Sequence, residues 1–133
     1  MGELRTGKTD RRQAMAYMDK ANDFYNGMVD ASQRGNWTVT ASNAVHCVIN
    51  SCDAVTVKIL GERSISLRHD DVIRLLAKAR PSGIGDKIHQ IQEILSAKSK
   101  VEYGFEKPSK GQAEMMAKQA HRVFAWAKEI VRE

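Results

Sequence analysis

The stretch from Thr38 to about Leu60, TVTASNAVHCVINSCDAVTVKIL, constrains the fold more than any other part of this chain. Val45, Val48, Cys52, Val55 and Ile59 recur at helical spacing, and Gly61 supplies the stop. A helix this apolar belongs at the centre of its domain. Yet Asn43, His46, Asn50 and Asp53, at spacings of three, four and three, share one face of it. A polar stripe on a central helix must be exposed, bonded across a helix interface, or part of a cleft.

The flanking segments repeat the helical period. Residues 11 to 32 place Ala14, Tyr17, Met18, Ala21, Phe24, Tyr25, Met28 and Ala31 on one face, with Asp10 as cap and Gln13 three residues on. A break at Arg34-Gly35-Asn36 precedes the central helix. A short helix from about Arg68 to Ala79 ends before Pro81, and the next carries Ile84, Ile88, Ile91 and Leu95. The last begins after Pro108 with Ser109 and Gln112 as a capping box. Its stripe runs from Ala113 through Met116, Ala120, Val123, Phe124 and Ala127 to Val131. No segment alternates with period two over enough residues to suggest a sheet. The expectation is an all-α antiparallel helical bundle with the short helix as an elaboration, one domain over residues 1–133 with its core at about 10–132.

A chain of 133 residues suffices for one core without staples. Hydrophobic residues at 42% and charged residues at 28% exclude a disordered chain. Lys plus Arg exceed Asp plus Glu by 21 to 16; the net +5 mildly favours an anionic partner such as RNA or a nucleotide. No stretch approaches the roughly 18 apolar residues of a membrane helix. Cys47 and Cys52, five apart on one helix, point to different sides and cannot pair, so a reduced, cytoplasmic protein without membrane contact is expected. The Glu-x-x-His signature of di-iron bundles is absent, there is no Gly-rich phosphate loop, and neither a metal nor another cofactor is expected.

The polar junction SAKSKVEYGFEKPS, residues 96 to 109, gathers Lys98, Lys100, Glu102 and Tyr103 before Gly104 and Pro108. Taken in order, YMDKANDFY, ASNAVHCVINSCDAV, RHDDVIRLLAKA, LSAKSKVEY and AKQAHRVFAWAKEIV resemble the HEPN domains over roughly residues 12 to 131. The resemblance is strongest to short stand-alone members encoded beside a minimal nucleotidyltransferase. It implies an up-and-down four-helix bundle plus a short helix, a homodimer, and a nucleotidyltransferase as possible partner. Many members are metal-independent ribonucleases, toxins or defence effectors. Their motif is Arg, four to six residues, then His, at the start of the last core helix: a cation for the scissile phosphate and an imidazole as acid or base.

The chain departs from that motif. Arg63 and His69, with Arg68 between them, match it literally, but they fall between the second and third helices. The family's site maps instead onto Lys98, Lys100, Glu102 and Tyr103, which resemble the Arg-x-x-(small)-(acid)-Tyr version of the short members, and no histidine stands at this junction. Lysine holds phosphate as a point charge without the guanidinium fork, and an ordinary glutamate is ionised at neutral pH. The sequence reading is therefore a catalytically degenerate module that binds RNA or a nucleotide, or a nucleotidyltransferase partner of toxin-antitoxin or defence type. Candidate ligand residues are Lys98, Lys100, Glu102 and Tyr103 with Asn43, His46, Asn50 and Asp53, which are expected to border the same cleft. The alternatives are a ribonuclease using His46 or His69, and a structural adaptor that binds no nucleic acid.

Overall fold

The computed structural model describes residues 5–65 and 69–132; of the candidate residues, Arg68 and the side chain of His69 lie outside the described part. Five helices carry the fold: α1 (Ala14–Gln33), α2 (Trp37–Leu60), α3 (His69–Ala79), α4 (Ile84–Tyr103) and α5 (Lys110–Arg132). The long helices α1, α2, α4 and α5 form an antiparallel bundle, and α3 is the short addition. The α2–α5 pair is central, with α1 on one flank and α4 on the other, while α3 packs on α2 and α4.

The high apolar content of α2 has the expected consequence. Every residue from Ala54 to Val57 is buried, as are Ala44, Val45, Cys47 and Val48. Both cysteines are buried and free. One contiguous core joins these to Met18 and Met28 of α1, Leu76 of α3, Ile91 and Ile94 of α4, and Val123 and Phe124 of α5. Fully buried side chains such as Leu76 and Ile94 each contribute about 1.5–3 kcal/mol through removal from water. Among the described residues no helix is long and apolar enough to cross a membrane.

Local signals fix the ends. Gly61 adopts φ 69°, and its N–H closes α2 on the Val57 carbonyl, the left-handed stop that glycine tolerates best. At α5 the capping box forms in full: the Ser109 N–H donates to Gln112 Oε1 at 2.9 Å, and the Gln112 N–H donates to Ser109 Oγ at 3.1 Å. At α1 the outcome differs. Asp10 accepts from the Arg12 N–H and caps a single 3-10 turn, Arg11–Gln13, whereas the Gln13 side chain accepts from the Thr9 hydroxyl. The reciprocal Asp10–Gln13 box does not form because the tighter turn intervenes.

A second difference lies at the edge. Two three-residue strands, β1 (Thr6–Lys8) and β2 (Glu62–Ser64), pair antiparallel with Gly7 opposite Arg63. Three residues are too few to register as alternation in sequence. The ribbon ties the chain before α1 to the exit of α2, and it sets Arg63 over the bundle.

Candidate functional site

The α2 stripe does not face open solvent. Asn50 and Asp53 are buried, and Asn43 and His46 are half-buried. The four side chains meet α1, the end of α4, α2 itself and β2. Asn43 lies against Gly27 of α1, where a Cβ would come within 2.8 Å of its Nδ2. His46 stacks on Phe24, ring centroids 5.1 Å apart, and its Nε2 lies 2.7 Å from Glu102 Oε1 at the end of α4. Asn50 donates back to the His46 carbonyl at 2.9 Å. Asp53 Oδ2 sits 3.6 Å from Arg63 Nη1, and the Arg63 guanidinium lies over the Tyr17 ring at 5.7 Å.

Two polar contacts therefore lie along one seam, one at His46–Glu102 and one at Asp53–Arg63. Seven helical residues separate them, about 10 Å along α2. At the first, a half-exposed imidazole is oriented by a partly buried carboxylate and an aromatic face. With Nε2 donating to Glu102, the neutral ring keeps its other nitrogen as an acceptor, an arrangement able to bind or move a proton.

At the second contact, two influences oppose each other. The attraction of Arg63 and Lys20 would lower the Asp53 carboxyl, but burial is the larger effect and pushes it up to about 7. The geometry agrees with burial winning. At 3.6 Å the ion pair is loose, and the Arg63 side chain shares its charge with water at 41% exposure. The buried thiols of Cys47 and Cys52 are likewise pushed up by burial, Cys47 to about 12, which makes them poor nucleophiles.

The junction candidates separate. Lys98, one turn before Glu102, is half-buried, yet Glu102 takes His46 rather than Lys98 as its ion-pair partner among the described residues. Lys100, two positions from Lys98 and so about 200° around the helix, lines a groove between α4 and α5 of about 510 Å³ with Glu106, Lys107 and Met115. The two lysines therefore project from different faces of α4. Tyr103 is 81% exposed, and beside it Phe105, which the sequence reading did not single out, is 95% exposed. Of the literal motif only Arg63 has a described side chain, and it faces Asp53 and Tyr17; Arg68 and the His69 side chain lie outside the described residues.

Among the described residues no three His, Cys, Asp or Glu side chains converge closely enough to hold a metal ion. His89 instead pairs with Glu93 at 2.8 Å, and His121 with the Tyr25 hydroxyl at 2.8 Å. No protein-family model matches the chain, and neither does any curated protein.

Proposed function

We propose that this chain is a HEPN-like module that binds single-stranded RNA or a nucleotide at the end of α4. The observation that carries the reading is the exposure of Tyr103 and Phe105 beside Lys100 and Lys107. Large aromatic rings left in water beside cations suit base stacking with phosphate neutralisation. The seam supports it from the other side: His46 and Glu102 tie the polar stripe of α2 to the same helix end, with Lys98 one turn away. The reading includes a homodimer and a nucleotidyltransferase as protein partner, both from the resemblance, and a cytoplasmic location, from the unpaired cysteines.

The test is titration of a short unstructured RNA at several salt concentrations. On a single strand each lysine that neutralises a phosphate contributes about 0.7 of a unit to the salt slope, so Lys98→Ala with Lys100→Ala flattens it by up to about 1.4. Tyr103→Ala with Phe105→Ala weakens binding by about tenfold or more while leaving that slope in place. Unchanged affinity in both double variants refutes the reading and leaves the adaptor.

A second reading rests on one specific contact. His46, on α2, reaches the junction that lacks a histidine of its own and is held there by Glu102. This pair could serve a metal-independent ribonuclease as acid or base. Incubating RNA with the protein in the presence of a chelator decides it: cleavage lost in His46→Asn supports the ribonuclease, and no cleavage leaves the binding module.

A further inference from the structure

A separate groove of about 390 Å³ runs between α1 and α5. Tyr25, Met28 and Ala117 give it apolar walls, its charged lining consists of Lys118 and Arg122 with His121 between them, and no carboxylate is among its lining residues. Its size falls in the range of small-molecule sites, about 300–1,000 Å³.

The groove is held in shape. The Tyr25 ring stacks on Phe124 with centroids 4.7 Å apart and planes 16° apart, and its hydroxyl is 2.8 Å from His121 Nδ1. With Tyr25 donating to Nδ1, the neutral imidazole carries its proton on Nε2, where it is a donor for a ligand. Lys118 and Arg122 stand four apart on α5 and are neighbours, a like-charge pair that costs helix stability unless an anion offsets it. The acidic neighbours on α5 are engaged elsewhere: Glu114 with Lys110 at 3.8 Å, Glu129 with Arg132 at 3.7 Å. Among the described residues, neither Lys118 nor Arg122 has a carboxylate within ion-pair distance.

We infer that the α1–α5 groove binds a small phosphomonoester carried on an aromatic ring. The ring rests against Tyr25, Met28 and Ala117, while the phosphate dianion takes the Lys118 ammonium, the Arg122 fork and the His121 Nε2–H. Ser32 and Gln33 line the groove as well and offer hydrogen bonds to polar atoms on the ring edge. A free aryl phosphate and a nucleoside monophosphate share this chemistry. None of these residues belongs to the α4 junction or the α2 seam, so the inference stands or falls independently of the RNA reading.

The experiment is a titration of the full chain followed by amide chemical shifts, using phenyl phosphate, phenol, inorganic phosphate and AMP as probes. Phenyl phosphate is expected to shift the amides around Lys118, His121 and Arg122 saturably, with phenol and inorganic phosphate each at least about tenfold weaker. AMP binding at least as tightly as phenyl phosphate supports the inference with a nucleobase as the ring; weaker AMP binding supports it with a plain aryl group. Lys118→Ala and Arg122→Gln, both exposed substitutions, are each expected to weaken phenyl phosphate about tenfold. Ala117→Leu should do the same by filling the groove with every charge retained. Lys98→Ala with Lys100→Ala should leave this binding unchanged, which separates it from the junction. The inference is overturned if phenyl phosphate gives no saturable shift at the groove up to about 10 mM. Inorganic phosphate binding as tightly as phenyl phosphate, or full affinity in Arg122→Gln, also overturns it.

Discussion

Replacing Asp53 by Asn should remove the pH dependence that this one residue imposes on stability. Asp53 is 6% exposed, and burial lifts its carboxyl from the 3.8 of a free aspartate to about 7 despite Arg63 3.6 Å away. The folded protein therefore binds this proton more tightly than the unfolded chain does. The resulting stabilisation is complete below about pH 4 and is lost as the pH rises through about 7. Three decades of proton affinity, at about 1.4 kcal/mol each, make the loss about 4 kcal/mol. Asparagine keeps the shape and cannot ionise, and Arg63 remains half in water when its partner is neutral. Urea unfolding of parent and Asp53→Asn, followed by far-UV circular dichroism from pH 4 to pH 8, isolates the effect, since the other titrating groups cancel in the difference. The stability difference should swing toward the variant by about 4 kcal/mol across that range. A difference constant within about 1 kcal/mol would mean that Asp53 is ionised throughout and that the Arg63 pair outweighs burial.

The other expectations rest on backbone and interface geometry. Gly61→Ala, at φ 69° and with the Thr9 carbonyl 3.2 Å from the new Cβ, should cost about 1–2 kcal/mol in urea unfolding; an unchanged midpoint would show that the α2 stop tolerates a side chain. Gly27→Ala pushes against Asn43 Nδ2, so its helix-propensity gain of about 0.5–1 kcal/mol should emerge only in an Asn43→Ala background. An equal effect in both backgrounds would remove Asn43 from the α1–α2 contact. Light scattering at micromolar concentration should give twice the chain mass of 14.9 kDa, and a monomer would refute the homodimer.

The helical period, the Gly61 stop and the Ser109–Gln112 box were legible in sequence because each is local. An amphipathic stripe, a left-handed glycine or a reciprocal cap is complete within a few residues and needs no distant partner. For the same reason the apolarity of 38–60 marked α2 as central before any packing was known. The stripe Asn43, His46, Asn50 and Asp53 was also visible, since helical spacing alone puts those residues on one face. What each residue meets was not. Glu102 lies 56 positions from His46, and Tyr25 lies 96 from His121, distances that no period spans. The β1–β2 ribbon was too short to show, yet it sets Arg63 on Asp53. Lys98 and Lys100 look like one cluster in a line of letters, but the turn of α4 sends them to different faces. Burial, which decides the protonation of Asp53 and leaves Tyr103 and Phe105 in water, is a property of the whole packed bundle, so only the tertiary structure could assign it.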